Sequence, residues 1–225
     1  MIAPLTAAEV DAIGLSLRVA GLATAAILPI AFGLAWLLAR RDFFGKAVVE
    51  ALVTLPLVLP PVVVGYLLLL AFSPAGVFGA LGGAVLFRWT GAAVAAGVMA
   101  LPLMTGPMRL ALEAVDPRLE GAARTLGATR SRVLRTITLP LALPGIATAA
   151  VLGFARALGE FGATQTFVSN IPGETQTLPL AIHALLQVPG QEPAAIRLTI
   201  LSIVIAFAAL LGAGAVQRRA AAHRR

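Results

Sequence analysis

The sequence predicts an all-α, polytopic transmembrane helix bundle of about five spans, and three observations carry that prediction. Of 225 residues, 59% are hydrophobic and only 12% charged, with a mean hydropathy of +0.94. A soluble domain of this size cannot cover so much apolar surface. The apolar residues also come in long stretches. A helix rising about 1.5 Å per residue needs roughly 20 of them to cross a hydrocarbon core of about 30 Å. Finally, the basic residues gather in alternate gaps between those stretches.

Five stretches are long enough: 19–39, 51–72, 89–108, 139–163 and 198–216, all within a single domain spanning 1–225. The N-terminal residues Met1 to Asp11 carry Glu9 and Asp11 and no basic residue. A secretory leader would begin with positive charge, so the first stretch is expected to be retained. The second contains the run Leu59-Pro60-Pro61-Val62-Val63-Val64-Gly65. Consecutive prolines impose a local unwound step, and unwound backbone in a membrane borders a pathway. The third carries Gly91, Ala95, Ala96 and Gly97, small residues that let helices approach closely. The fourth opens at Pro140 and holds Arg156 and Glu160 near its far end. Residues 73–88 and 174–188 read as outer loops, the second with a short interfacial helix around 177–187.

Thirteen of the seventeen basic residues fall on one side: in the gap after span one, in the gap 109–138, and in the tail 217–225. Arg18, Arg88 and Arg197 lie at span ends on the other side. The positive-inside rule makes the richer side cytoplasmic, which places the N-terminus outside and the C-terminus in the cytoplasm. An odd number of spans has the same parity.

The gap 109–138 has more structure than a topological signal needs. Asp116-Pro117 is a helix start, with Asp as the cap and Pro at the first helical position. Leu119, Ala122, Ala123 and Leu126 recur at helical spacing. Gly127 interrupts the pattern, and a second short helix puts Val133, Leu134 and Ile137 on one side. Pro140 is expected to break it where span four begins. A DNA-binding helix pair has a similar outline. However, this segment is held to the membrane at both ends, and Glu113, Asp116 and Glu120 dilute its charge, so nucleic acid is excluded as a partner. An amphipathic docking element for a cytoplasmic protein fits the break and the direct exit into span four.

Catalysis within the chain is not expected. Cysteine is absent, the aspartates are Asp11, Asp42 and Asp116, outside the spans, and the histidines are His183 and His223. No catalytic or metal-ligating constellation falls in a span. The one lysine, Lys46, precedes Ala47, so there is no phosphate-cradling loop either. ATP-driven work requires a separate polypeptide. A secondary transporter or channel working alone is the rival reading, and it leaves 116–140 without a role.

The pattern Ala122-Ala123, three residues, Gly127, nine residues, then Ile137-x-Leu139-Pro140 resembles the coupling motif of ABC importer permeases. In that family the loop seats a short helix in a cleft of the ATP-hydrolysing subunit. The resemblance implies coupling roles for Glu120, Ala122, Ala123, Arg124, Leu126, Gly127, Ile137, Leu139 and Pro140. The motif's leading glutamate position falls on Gly121 here, with Glu120 one place earlier.

A second stretch, Phe154 to Leu180, is similar to permeases for tetrahedral oxyanions, and its Phe167-Val-Ser-Asn-Ile-Pro-Gly-Glu-Thr-Gln-Thr-Leu-Pro-Leu180 run looks most like the molybdate branch. Sulfate permeases share its Gly-Glu-Phe-Gly and Asn-Ile-Pro elements, and tungstate is a further alternative. Arg156 and Glu160, four apart, can pair. Arg156 lies roughly 24 Å along span four, toward the outer side. Pro60, Pro61, Arg156, Glu160, Gly162 and Thr164 are the candidate pathway and gate residues.

The resemblance further implies an inner-membrane homodimer with the pathway at its two-fold interface. Two ATPase subunits would use ATP and Mg2+, and a periplasmic or external oxyanion-binding protein would deliver the cargo. No cofactor or metal is expected on this chain.

Overall fold

The first helix begins well before its apolar stretch. Thr6 caps α1 (Ala7–Arg40): its hydroxyl accepts the Glu9 N–H at 3.3 Å, while the Glu9 carboxylate accepts the Thr6 N–H at 2.7 Å. This reciprocal pairing satisfies donors that every helix start leaves open. The computed structural model describes residues 5–222, and side chains over 5–211; all regular structure within the described residues is helical.

Span two is not one rod. It divides into α2 (Lys46–Val58) and α3 (Pro61–Phe72), whose axes meet at 115°. The sequence predicts a local step within a crossing of 51–72; the structure enlarges it into a sharp corner. Neither Pro60 nor Pro61 has an N–H to continue the ladder, and Leu59, ahead of Pro60, is driven to extended backbone (φ −70°, ψ 144°). Pro61 then restarts the helix at its first position, where a missing N–H leaves no bond unmade.

After a 3₁₀ turn at Gly79–Leu81 and a single turn, α4 (Gly82–Val85), the chain enters the central helix α5 (Trp89–Glu113), buried along most of its length from Gly91 to Leu112. Ala92, Ala95 and Ala96 meet Val19, Ala20 and Ala23 of α1. Further along, Met104, Met108 and Leu112 pack with Ala31 and Ala35 of α1 and with Ala142 and Ala149 of the fourth span. Alanine-lined contacts of this kind let backbones come close, and dispersion is then the main force holding helices together in lipid. At the basic end Arg109 pairs with Glu113 at 2.7 Å and with Glu50 of α2, tying α2 to α5.

The gap that follows contains α6 (Pro117–Thr125) and α7 (Arg130–Val133). Pro140 does not break the chain there, contrary to expectation. A π-helical turn at Leu134–Thr138 leads straight into α8 (Leu139–Leu158), and 130–158 forms one 29-residue rod. The Leu139 N–H bonds to the Leu134 carbonyl, a five-residue step. That wider turn lets the helix continue past a residue with no N–H to donate.

Span four is shorter than expected at its other end. α8 closes at Leu158 with Gly159 as its cap, and helix resumes only at α9 (Gly162–Val168), so 139–163 is not continuous and Glu160 lies in the gap. α10 (Leu178–Leu186) occupies the place predicted for the interfacial helix. Its Leu178 and Ala181 dock against Ala12 of α1 and Leu198 of α11 (Glu192–Ala222). At this end the Leu178 N–H donates to the Ser16 hydroxyl at 2.6 Å, and Arg197 pairs with Glu9 at 2.5 Å. α11 carries helix past 216; His223 and the tail arginine side chains lie outside the described residues. Among the described residues four helical lengths (α1, α5, the 130–158 rod and α11) are long and apolar enough to cross a membrane; the bent α2–α3 pair adds a fifth if its two limbs form one broken span rather than a re-entrant loop.

Candidate functional site

Two clusters of candidate residues lie at opposite ends of the α8 rod. The first is built on α6. Asp116 accepts the Arg118 N–H at 2.8 Å and Pro117 takes the first helical position, as the dipeptide predicts. The helix ends in a glycine reversal: the Gly127 N–H bonds to the Arg124 carbonyl and the Ala128 N–H to the Ala123 carbonyl, both at 3.0 Å. This closure requires left-handed backbone at Gly127, which has φ +86°. Thr129 then caps α7, accepting the Arg132 N–H at 3.3 Å.

α6 buries none of its side chains completely. Leu119 and Ala122 are exposed and Leu126 is 89% exposed, and Arg118, Arg124 and Arg130 of the same segment are exposed as well. Gly127 and Pro140 are exposed too, while Ala123, Ile137 and Leu139 are half-buried. An apolar strip on a segment with exposed cations, uncovered by its own chain and joined to a helical rod, has the character of a protein contact.

Glu120 is the exception. It turns away from the strip and into the protein. Its Oε1 accepts Arg40 Nη2 at 2.9 Å and the Thr138 hydroxyl at 2.7 Å. The Arg40 and Glu120 side chains are only 18% and 15% exposed, and the guanidinium carbon stands 5.8 Å from the centre of the Trp36 ring. Sequence reasoning counted Arg40 only as a topological charge and passed over Thr138. They lie 80 and 18 residues from Glu120, beyond the reach of any local spacing rule.

The second cluster lies roughly 27 Å further along the rod, counting from Thr138 to Arg156 at about 1.5 Å per residue. Arg156 and Glu160 do pair, at 2.5 Å. Glu160 is not on the helix face, however: its second oxygen accepts the Ala163 N–H at 2.8 Å and so holds the start of α9. With its side chain 2% exposed, the carboxylate is a buried strut between two helices. α9 in turn packs on α3, where a Cβ on Gly65 would stand 2.6 Å from the Ala163 carbonyl oxygen. Pro60 and Pro61 are exposed, Gly162 half-buried and Thr164 buried. The two helix breaks, at 59–60 and 159–161, are thus neighbours. Among the described residues no group of three or more His, Asp or Glu side chains is placed to hold a metal.

Residues 27–222 match the family described as binding-protein-dependent transport system inner membrane component. The chain belongs to this family. The permease is 56% identical over 212 residues to the molybdenum transport system permease protein ModB of Escherichia coli K12, covering 92% of this chain and 93% of that one. It is 51% identical over 208 residues to ModB of Haemophilus influenzae, with 90% and 91% covered. The putative molybdenum transport system permease protein YvgM of Bacillus subtilis is 42% identical over 201 residues, with 86% and 87% covered. These relatives are transport permeases and not enzymes.

Solved structures agree on the fold. A bacterial ABC transporter importing the acidic polysaccharide alginate superposes with a TM-score of 0.76 at 23% identity, covering 96% of the permease and 80% of that chain. The methionine ABC transporter MetNI in an inward-facing form superposes with 0.74 at 18%, covering 94% and 95%. The permease is therefore a multi-pass inner-membrane protein of the ABC importer type.

Proposed function

We propose that the permease forms, as a homodimer, the translocation pathway of an ATP-driven importer for molybdate. Two separate ATPase subunits, which use ATP and Mg2+, dock on the exposed face of 116–138. An external oxyanion-binding protein delivers the anion at the opposite end. The basic end faces the cytoplasm, as the arginine distribution favours, with the N-terminus outside.

The observation that carries this reading is the union of an uncovered amphipathic helix with a rod that runs across the bundle. α6 offers Leu119, Ala122 and Leu126 outward, and the chain passes within a few residues into 130–158. At the rod's far end stand the Arg156–Glu160 strut and the α3–α9 contact. Closure of the ATPase pair displaces α6, the rod tilts, and the α3–α9 contact shifts at the outer gate. The tighter binding of ATP to the closed arrangement supplies the bias. Glu160 offsets much of the Arg156 charge, so the pathway holds an anion weakly and releases it readily. The names carried by the relatives support molybdate, with tungstate and sulfate as the alternative cargo.

The test is uptake of labelled molybdate by proteoliposomes holding the permease, its ATPase and its binding protein. Uptake should require ATP, survive collapse of ion gradients, and yield to excess tungstate more than to sulfate. Uptake driven by an ion gradient without ATP would overturn the reading in favour of a secondary transporter.

A further inference from the structure

We infer that Arg40 and Thr138 are positioning residues for coupling: through Glu120 they clasp α6 to α1 and to the rod, so that a push on α6 reaches the membrane helices. The inference rests on the function proposed above, and it assigns Glu120 to the inner side of the lever and not to the ATPase contact.

Three observations support it. First, α6 has little else to hold it. It buries no side chain completely, and on the rod side it is joined through the short segment 126–129, where a Cβ on Gly127 would meet nothing within 4 Å. A load on its exposed strip would bend that linker before it tilted the rod. Second, one carboxylate oxygen ties three elements together: the last residue of α1, the first turn of α6 and the π turn within the rod. Third, the clasp is sheltered. Thr138 is fully buried, Arg40 and Glu120 are mostly so, and the Trp36 face steadies the guanidinium. Arg40 Nε is buried without a hydrogen-bond partner, so the cation depends on Glu120 for its compensation. Opening such a pair leaves a charge stranded, which favours movement of the three elements as one body.

The same clasp explains why a glutamate one position ahead of the resembled motif is useful. On α6 the outward strip runs through Leu119, Ala122 and Leu126, whereas Glu120 and Ala123, three apart, form the half-buried side.

The test compares ATP hydrolysed with molybdate imported, using the complete transporter in proteoliposomes. Arg40→Gln should bind the ATPase subunits as the unaltered permease does and hydrolyse ATP within about twofold of it, while molybdate imported per ATP falls about tenfold. Thr138→Val should lower that ratio about threefold, as expected for one lost hydrogen bond. Exchanging the charges, Arg40→Glu with Glu120→Arg, should bring the ratio back to within about threefold of the unaltered permease.

The inference is overturned if Arg40→Gln retains the full ratio, if the exchanged pair recovers nothing, or if Arg40→Gln loses its ATPase subunits. Should Arg40→Gln fail to accumulate in the membrane, Thr138→Val decides alone, and an unchanged ratio there overturns the clasp. ATP-independent uptake by the unaltered permease refutes the transport reading itself, which separates the two failures.

Discussion

Gly162 stands directly against Pro61: a Cβ placed on the glycine would come within 2.9 Å of the proline Cβ. The corner of span two and the interruption after span four are therefore one structural feature. Pro61 begins α3 and Gly162 begins α9, and the two short helices lie along each other from these shared starts. A displacement at one break is felt at the other, because close-packed contacts transmit strain.

Filling this contact should loosen the pair. Gly65→Ala puts a methyl group 2.6 Å from the Ala163 carbonyl oxygen, a backbone atom that cannot step aside. We expect a loss of about 1–3 kcal/mol, seen as a lower melting temperature in detergent. Gly83→Ala, where the new Cβ meets nothing within 4 Å, is the control and should stay within about 0.5 kcal/mol. Equal melting temperatures for the two variants would contradict the close approach.

At Glu160 the amide variant should be mild and the truncation severe. Glu160→Gln keeps an oxygen for the Ala163 N–H, so the permease should still accumulate in the membrane while uptake changes. Glu160→Ala removes the cap and strands Arg156, at a cost of about 3–5 kcal/mol. Quantifying inserted protein beside uptake distinguishes the two effects. Poor accumulation of Glu160→Gln would make the strut a requirement of folding rather than of gating.

Gly127 has a backbone conformation that few side chains tolerate. Gly127→Val should cost about 1–2 kcal/mol or more locally, and Gly127→Asn much less, since Asn enters the left-handed region comparatively readily. Gly127→Asp leaves the backbone nearly intact but adds a negative charge beside Arg124 and Arg130 on the docking face. We expect it to insert normally and to lose uptake while ATP hydrolysis persists. Normal uptake by Gly127→Asp would count strongly against the docking role.

The Glu9–Arg197 pair ties the first helix to the last at the end opposite the basic one. Replacing either partner alone, Glu9→Gln or Arg197→Met, should lower thermal stability. The double variant should recover part of the loss, with a coupling of about 1–3 kcal/mol. Strictly additive melting shifts would show that the bond contributes nothing.

Much of this arrangement was legible before any coordinates. Membrane-length apolar runs dictated a helical bundle, because a backbone in hydrocarbon must satisfy its own hydrogen bonds. Asp116-Pro117 marked the start of α6, Gly127 its reversal, and Pro60-Pro61 an interruption, since each acts through its own backbone chemistry. The four-residue step from Arg156 to Glu160 foretold their pairing. Pro140 misled for the same local reason: a missing N–H does not reveal that the preceding turn can widen to π geometry and carry the helix past it.

Residue chemistry along the chain determined the class of protein, its membrane-length helices and the start and end of α6, because hydrophobic length, charge placement and helix caps act over a few residues. Only the tertiary structure decided where Glu120 points, that Arg40 and Thr138 share its oxygen, and that the breaks at Pro61 and Gly162 adjoin. Those contacts join positions that helix packing brings together across long loops, and no periodicity in the chain encodes them.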